Sequence, residues 1–434
     1  MTYYWGCIMS TATENSGAGA QGSFRSLRCN RDFTLLAGGQ GLSWTGDAFQ
    51  AIALSVAVIT TGGTVGDLGF ALASAVVARL LCTLVGGVWA DRIRPQPIMI
   101  TADLIRAAAI AGQVALFGTG HYSLPLLCLL TFVVGGAGAF FFPAMQSLKP
   151  TLVPPEQRQA ANAVLSMLQT GASMIGPAVA GVVIAIFGSQ VGFVLNAVTF
   201  LVSAATVAPI RAVAPRAHRV GFVHELRCGW SAVRERSWLL WGVVAAGVYH
   251  VANGVVLITV NVIALRDLGG PTALGFVSAA EGLGGVIGSA VALRARPRRP
   301  LVAGFLALGL MPVWVVSYVW PGVLTGVLLG ALVGYSGLMF FSVCWETALQ
   351  DNVPHHLLAR VSSWDIVTSF IGLPIGQALA GPLGDRFGSH PVLLVCAFVI
   401  LAAGVAPLLA RGTRRLGRSG PEADDPHRTA TLGT

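Results

Sequence analysis

The sequence contains few charged residues. Asp, Glu, Lys and Arg make up 10% of its 434 residues, whereas 54% of the residues are hydrophobic. A water-soluble globular protein carries roughly 25% charged residues, and disordered chains are poor in apolar residues. The composition therefore excludes both classes and predicts a polytopic all-α integral membrane protein.

Motifs for common enzyme chemistry are also missing. Lys149 is the one lysine, and no glycine-rich loop precedes it, so a phosphate-binding P-loop is excluded. The seven cysteines form no C-x-x-C pair, and G-x-S-x-G is absent. His224-Glu225 begins like a zinc-protease box, but Cys228 stands where the second histidine is needed. We therefore predict no enzyme activity, no cofactor and no metal site.

Long apolar runs dominate the rest of the chain. An apolar helix of about 20 residues spans a bilayer, and twelve such runs follow one another. They are continuous rather than alternating, which argues against transmembrane strands. The predicted spans cover residues 33–60, 67–90, 97–118, 123–148, 160–187, 190–209, 238–264, 273–293, 300–320, 322–349, 361–386 and 389–410.

The basic residues are divided unevenly between the two sets of loops. Of the 27 basic residues, 23 fall in the termini and in the loops on the same face, and 2 fall on the opposite face. Loops rich in Lys and Arg stay in the cytoplasm, so both termini are predicted to be cytoplasmic in a protein of the plasma membrane. The basic loops that give the chain its net charge of +9 are then expected to interact with lipid headgroups of the bilayer, and no nucleic acid is expected as a partner.

The two halves of the chain resemble each other at an offset of 200 residues. Residues 175–181 and 375–381 both read I-G-x-A-x-A-G, and residues 187–189 and 387–389 both read F-G-S. Parallel six-helix repeats imply alternating access to a substrate site between the halves; a twelve-helix scaffold without a transport role is the alternative. The predicted organisation is a cytoplasmic tail (1–32), a six-helix bundle (33–209), a cytoplasmic linker with an interfacial amphipathic helix (210–237), a second six-helix bundle (238–410) and a disordered tail (411–434).

The loop after the second span carries a recognisable signature. Residues 86–94 read G-G-V-W-A-D-R-I-R, which resembles the G-x-x-x-D-R-x-[GR]-R signature of the major facilitator superfamily. The resemblance implies the major facilitator fold, with two pseudo-symmetric bundles, and a gate that latches the cytoplasmic side in the outward-open state. The alternative is that Arg92 and Arg94 only hold the loop in the cytoplasm. The residues that match the signature or accompany it on the third span are Gly87, Asp91, Arg92, Arg94, Asp103 and Arg106.

Small residues in the fifth span resemble a second element of the superfamily. Gly171, Gly176, Pro177 and Gly181 are similar to the G-P-x-x-x-G element of its exporters, which importers generally lack. Close helix packing through small residues is the alternative. Residues 140–205 together resemble the branch that holds macrolide-efflux and enterobactin-exporter proteins.

This resemblance implies a monomeric secondary transporter that exports a small amphiphilic compound, a drug or secondary metabolite, by proton antiport. A narrow-substrate siderophore or metabolite exporter, an uptake symporter, a lipid flippase and a membrane-embedded enzyme are the alternatives. The span at 123–148 contains no basic residue. It therefore lacks the intramembrane Arg of many proton-coupled drug exporters, which leaves the coupling route open.

Three ionisable residues inside the spans are candidates for ion coupling, because such groups are costly in a bilayer and mark functional sites. Asp47 in the first span and Arg79 in the second lie at a similar depth, roughly 18 Å from the cytoplasmic edge. Asp47 is the predicted proton or cation carrier and Arg79 its modulator; a static buried pair is the alternative. Glu281 in the eighth span is a second candidate, with an interhelical hydrogen bond as its alternative.

Aromatic and polar residues of the first and seventh spans are candidates for the substrate cavity. Aromatic rings stack on bulky apolar or cationic ligands, although packing and anchoring at the membrane interface are their commoner uses. The candidates are Trp44, Phe49, Tyr249, His250 and Asn253.

Overall fold

The computed structural model describes residue 27 and residues 30–90, 94–119, 122–154, 157–210, 233–295, 297–320, 323–353 and 355–416. Within these ranges the chain is almost entirely helical. The long helices are α1 (Arg31–Thr60), α2 (Val65–Ala90), α3 (Pro95–Gly118), α4 (Leu124–Leu152), α5 (Arg158–Phe187), α6 (Ser189–Val207), α7 (Ser237–Asp267), α8 (Pro271–Ala295), α9 (Pro300–Ser317), α10 (Leu324–Asn352), α11 (His355–Phe387) and α12 (Ser389–Leu409).

These helices correspond one to one with the predicted spans. Among the described residues, eleven of the helices, all but α11, are long and apolar enough to cross a membrane. Helix α11 begins at His355, six residues before the predicted span, and these six residues (His-His-Leu-Leu-Ala-Arg) are half polar and half apolar. Helix α9 is interrupted at Gly309 and Leu310, where Pro312 in the next turn has no backbone N–H to continue the helix.

The segments outside the spans fit the predicted boundaries less closely. The predicted disordered tail begins with a short helix, α13 (Arg411–Arg415), in which Thr413 is buried. That part of the prediction is corrected: a Cβ on Gly412 would lie 2.6 Å from Ser237 Oγ, so the turn packs on the start of α7. The remainder of that tail, most of the N-terminal tail and residues 211–232, which include most of the amphipathic helix predicted over 222–238, lie outside the described residues.

Successive helices are joined alternately at two ends of the bundle. The end at which α1 begins and α12 finishes is called here the terminus end, and the opposite end the distal end. At the distal end, Gly188 alone joins α5 to α6, and Gly388 alone joins α11 to α12. Their φ angles of 85° and 80° lie in a region that L side chains rarely adopt. These two glycines occupy matching positions in the 200-residue repeat.

Helices pack mostly within their own half of the chain. In the first half α2 packs on α4, α1 on α5 and α6, and α3 on α4 and α6; in the second half α7 packs on α11 and α12, α8 on α10, and α9 on α10 and α12. The main contacts between the halves join α5 to α8 and α2 to α11. The largest buried apolar cluster contains side chains of both halves, so one core holds them together.

The contacts between the halves are built on glycine. A Cβ on Gly181 of α5 would lie 2.5 Å from the carbonyl oxygen of Pro271 and 2.9 Å from the Cα of Gly275 on α8. Conversely, a Cβ on Gly275 would lie 2.5 Å from the carbonyl oxygen of Pro177. Because a side chain has no room here, the two backbones touch. This contact is called the α5–α8 seam.

A second glycine contact, the α2–α11 seam, repeats the first. A Cβ on Gly69 would overlap the carbonyl oxygen of Gln377, and one on Gly381 would overlap Gly66. Gln377 and Gly381 are the repeat counterparts of Pro177 and Gly181, and Gly69 and Gly275 are each the fifth residue of their helix. Both seams lie toward the distal end, so the two halves meet closely there.

Candidate functional site

Four ionisable side chains come together in the first half of the chain: Asp47 on α1, Arg79 on α2, and Asp103 and Arg106 on α3. Arg106 donates a hydrogen bond to Asp103, three residues earlier on the same helix, and forms an ion pair with it. The charges of Asp47, Arg79 and Arg106 also lie close enough to interact. We call these four residues the charge cluster.

The guanidinium of Arg106 is held between two aromatic rings. Its central carbon lies 4.1 Å from the ring centre of Phe200 on α6 and 4.6 Å from that of Phe141 on α4. The rings attract the cation through their negative faces, and Arg106 and Asp103 are both buried. The arginine is therefore fixed by packing as well as by its carboxylate partner.

The other two members of the charge cluster differ in exposure. Asp47 is partly exposed and Arg79 is exposed, although both lie many residues from the ends of their helices. A proton or ligand can reach a partly exposed carboxylate, whereas the buried Asp103 is shielded. Of the two acids in the cluster, Asp47 is thus the more exposed.

Residues assigned to the predicted cytoplasmic gate lie in different surroundings. Asp103 and Arg106 belong to the charge cluster, about 12 to 17 Å along α3 from its start. Arg94 is exposed immediately before that helix. The backbone of Gly87 is part of α2, while Asp91 and Arg92 lie outside the described residues. The proposed latch as a whole therefore stays a prediction.

Neutral polar side chains also join α1 to α3 and to α6, and the sequence analysis missed these hydrogen bonds. Gln50 of α1 donates a hydrogen bond to Gln113 of α3 at 2.7 Å, and Gln40 of α1 donates one to Ser203 of α6 at 3.0 Å. Ser203 also lies beside the carboxylate of Asp103. The available signal was the recurrence of glutamines, Gln40 and Gln50, within a predicted membrane span.

In the second half, Glu281 of α8 is surrounded by aromatic side chains. It is partly exposed and lies within hydrogen-bonding reach of Tyr335 on α10. Tyr318, at the end of α9, is close enough to sense the charge of Glu281, and Tyr249 of α7 lies near Tyr335. The ring of Trp314 stands edge-on to Tyr335 at 5.2 Å and to Tyr318 at 6.1 Å.

This group of residues, called here the Glu281 cage, is held in place by close packing of α8 on α10. A Cβ on Gly284 would lie 2.5 Å from the carbonyl oxygen of Leu332, and Ser336 Oγ donates a hydrogen bond to the carbonyl oxygen of Gly284 at 2.9 Å. The carboxyl of Glu281, one turn before Gly284, is therefore pressed against α10. The sequence indicated Glu281 and Tyr249 but not the three other aromatic residues.

The predicted cavity residues differ in burial and in hydrogen bonding. Tyr249 Oη and Asn253 Oδ1 are buried without a hydrogen-bond partner among the described residues. The Nδ1 atom of His250 lies 2.7 Å from the carbonyl oxygen of Ala246, and its Cβ faces Gly372 of α11. Trp44 is partly exposed, whereas Phe49 is packed in the main apolar core and presents little surface to a ligand.

The small residues of α5 have separate packing roles. Gly176 faces Ala48 of α1, where an added Cβ would lie 3.0 Å from the alanine methyl. Pro177 and Gly181 form the α5–α8 seam, and Gly171 has open space around it. The element that resembles an exporter motif thus joins α5 both to its own half and to the other half.

Two repeated groups of apolar helices, with ionisable side chains enclosed among them, define a polytopic membrane transporter. The sequence model described as "Major Facilitator Superfamily" matches residues 36–376, and the chain therefore belongs to that superfamily. It is a transporter rather than an enzyme, as the sequence predicted.

Similar proteins with curated names include efflux pumps. The chain is 26% identical over 393 residues to "Multidrug efflux pump Tap" of Mycolicibacterium fortuitum, a match that covers 86% of this chain and 93% of the relative. It is 25% identical over 338 residues to "Macrolide efflux protein A" of Streptococcus pyogenes, covering 74% and 82% of the two chains. These matches confirm the predicted resemblance to the drug-exporter branch.

Solved structures of low sequence identity share the fold. A bacterial homologue of the human lysosomal transporter Spinster matches with a TM-score of 0.70 at 14% identity, covering 94% of this chain and 100% of the other. A bacterial homologue of the iron transporter ferroportin matches with a TM-score of 0.69 at 17% identity, covering 89% and 99%. The twelve-helix major facilitator fold predicted from the sequence is thereby confirmed.

Proposed function

We propose that the protein exports small amphiphilic compounds across the plasma membrane by proton antiport, as a monomer with its terminus end in the cytoplasm. The names of the efflux-pump relatives support export. The observation that carries the coupling mechanism is the charge cluster, in which the partly exposed Asp47 interacts with two arginines. Among the described residues, no feature favours uptake or lipid flipping over export.

Alternating access follows from the position of the two glycine seams. With both seams closed, the distal end is shut and substrate enters from the terminus end between the halves. Opening to the other side requires α5 to separate from α8 and α2 from α11. Rigid halves that rock about a central site are the usual way in which such repeats transport.

Asp47 couples this movement to protons through its charge. When the carboxylate is ionised, Arg79 of α2 and Arg106 of α3 are attracted to it, which holds α1, α2 and α3 together. When the carboxylate is protonated, that attraction is lost, while Arg106 keeps its bond to Asp103 and its two aromatic rings. Protonation therefore removes one attraction that acts on Arg79, on the helix that forms the α2–α11 seam.

Ethidium transport by inside-out membrane vesicles tests this proposal. Vesicles with the wild-type protein are expected to accumulate ethidium when a proton gradient is imposed and to lose it when a protonophore is added. Asp47→Asn is expected to reduce the gradient-dependent component by at least about 100-fold, because a coupling carboxylate cannot be replaced by an amide. Asp267→Asn, an exposed carboxylate at the distal end, serves as the matched control and is expected to transport normally.

Each part of the proposal has an outcome that contradicts it. Accumulation in Asp47→Asn at the wild-type level removes Asp47 from coupling. Accumulation that survives the protonophore contradicts proton antiport. Vesicles that behave like those without the protein contradict export of multiple amphiphiles and favour a narrow-substrate exporter.

A further inference from the structure

We infer that a phospholipid acyl chain occupies a groove on the outside of the α5–α8 seam and that this chain holds the distal end closed. The groove, called here the α5–α8 groove, has a volume of about 300 Å³ and is lined by Ala178, Val179, Val182 and Val183 of α5 and Phe276 of α8. The inference rests on the alternating access proposed above, and it is independent of the transported compound and of proton coupling.

The α5–α8 groove lies on the side of the molecule that faces the bilayer. Four exposed apolar side chains of α5, at Ile175, Val179, Val182 and Ile186, recur at intervals of four, three and four residues, which places them on one face of the helix. Gly181, which contacts α8, lies to one side of that face. Because an extended apolar face of a membrane-spanning helix lies against lipid, the groove opens to acyl chains.

The chemistry and the depth of the groove fit a hydrocarbon chain. Its lining side chains are all apolar, so a polar ligand group would lose its water there and gain no hydrogen bond in return. Residues 178–183 lie about 6 to 14 Å along α5 from its last residue, Phe187, in the half of the membrane nearer the distal end. The phospholipids of that leaflet already place their acyl chains at this depth.

A second apolar groove, the α2–α4 groove, differs in the origin of its walls. Its lining includes Phe70 and Ala73 of α2 and Pro125 and Phe132 of α4, so both of its walls belong to the first half of the chain. The walls of the α5–α8 groove belong to different halves. Separation of α5 from α8 therefore divides the α5–α8 groove, whereas the α2–α4 groove moves with one half and stays complete.

The α5–α8 groove is thus complete only while the distal end is closed. A ligand that binds one state of a protein and not the other shifts the equilibrium toward the state that it binds. An acyl chain in the groove therefore adds to the backbone contact between Gly181 and Gly275, and it has to leave before α5 separates from α8.

The repeat supplies a matched pair of residues for a test. Residues 68–70 and 274–276 both read L-G-F, and the glycine of each segment belongs to one of the two seams. Phe70 and Phe276, which follow these glycines, are similarly exposed, at 45% and 43%. Because Phe70 lines the α2–α4 groove and Phe276 the α5–α8 groove, Phe70→Ala is the control for Phe276→Ala.

Photolabelling in lipid nanodiscs tests the inference. The purified full-length protein is reconstituted with phosphatidylcholine, a small fraction of which carries a diazirine on its acyl chain, and the labelled residues are located by mass spectrometry. Wild type is expected to be labelled in both grooves. Phe276→Ala, which removes one wall, is expected to lower the labelling of residues 178–183 by at least about threefold, and Phe70→Ala to leave it unchanged.

Gly381→Val tests the dependence on conformational state. The added side chain overlaps the backbone of Gly66 in the α2–α11 seam, on other helices than those that form the α5–α8 groove, and is expected to favour the open distal end. The labelling of residues 178–183 is then expected to fall by at least about threefold, whereas labelling of residues 125–132 on α4 stays at the wild-type level. Gly181→Val, in the other seam, replaces Gly381→Val if that variant does not fold.

Three results would overturn the inference. They are the absence of label from residues 178–183 in wild type, labelling at the wild-type level in Gly381→Val or in Phe276→Ala, and loss of the label when excess ethidium is added, which would assign the groove to a transported compound.

Failure of this inference is distinguishable from failure of the proposed function. Labelling that depends on the state of the distal end, without proton-driven ethidium transport, contradicts the antiport mechanism alone. Proton-driven transport with labelling that is equal in all variants contradicts the acyl-chain site alone.

Discussion

Arg106 is the residue with the largest number of specific contacts in the charge cluster. One carboxylate and two aromatic rings hold it, and the charge of Asp47 adds to them. Removing one partner of a buried ion pair leaves an uncompensated charge, which costs more than removing both partners. The pair Asp103–Arg106 is therefore expected to stabilise the first half of the chain as well as to position Arg106 beside Asp47.

Asp103→Asn tests this dual role. It leaves Arg106 buried with its charge and is expected to lower the free energy of unfolding by about 3–5 kcal/mol. The double variant Asp103→Asn/Arg106→Gln is expected to be less destabilised than the single one, because no charge remains buried. Thermal unfolding in detergent measures both, and a double variant less stable than Asp103→Asn would contradict the argument.

At this scale the sequence predicted charged positions better than their partners. Asp47, Arg79 and Glu281 were recognisable because an ionisable residue is unusual inside an apolar span. The place of Arg106 in the charge cluster was not recognisable from the sequence. Its association with the gate signature suggested another role, and its depth in the membrane depends on where α3 begins. Tyr318 and Tyr335 were missed because an aromatic residue in a span has many uses, and only the packing of α8 on α10 gives these a common neighbour.

Among the helices, α5 has the most demanding packing. Its glycines meet α1 at Gly176 and α8 at Gly181, while Gly171 lies open. The sequence motif alone allowed an exporter-specific role or ordinary small-residue packing. The short distances from Gly181 to the backbone of α8 indicate that this glycine in particular permits the two halves to close at the distal end.

Gly181→Val is expected to favour states in which the distal end is open. The added side chain meets the backbone of α8, and overpacking of this kind costs about 1–3 kcal/mol, so the closed state loses population by about tenfold. Met174→Cys, placed on α5 beside α8 in a background without native cysteines, is expected to react faster with a water-soluble maleimide applied from outside.

Gly171→Val is the control for this measurement. The substitution is the same and on the same helix, but it enters open space and is expected to leave the labelling rate unchanged. Equal labelling rates in both variants would show that the α5–α8 seam does not limit access from the distal end.

For the whole molecule, the architecture was largely predictable. Helix number followed from the length of the apolar runs, and the repeat was visible as matched segments 200 residues apart. Helix ends were less predictable. Helix α11 begins six residues before its apolar run, because a helix can include polar residues such as His355, His356 and Arg360. Helix α9 breaks where Gly309 and Pro312 interrupt it. The two seams required coordinates, since the sequence does not tell which glycines face another helix.

The orientation of the molecule remains a prediction that reporter fusions can test. Alkaline phosphatase folds only outside the cytoplasm, so a fusion after residue 434 is expected to be inactive, whereas an insertion after Gly269 in the distal α7–α8 turn is expected to be active. A green fluorescent protein at the first position is expected to fluoresce. The reverse pattern would place the terminus end outside and would turn the proposed exporter into an importer.

The lengths of the helices have a consequence for the surrounding lipid. Helices α6 and α12 contain 19 and 21 residues, whereas α1, α5, α7 and α11 contain 30 to 33. A helix of 19 residues is about 28 Å long, which is close to the thickness of the hydrocarbon core. Helices α6 and α12 are therefore just long enough to span it, whereas the longer helices fit by tilting. Hydrophobic mismatch in a thicker bilayer then falls on α6 and α12, which occupy matching positions in the two halves, and on the interrupted α9, which contains 18 residues. Transport in vesicles made from lipids of increasing acyl length is accordingly expected to pass through an optimum and then decline.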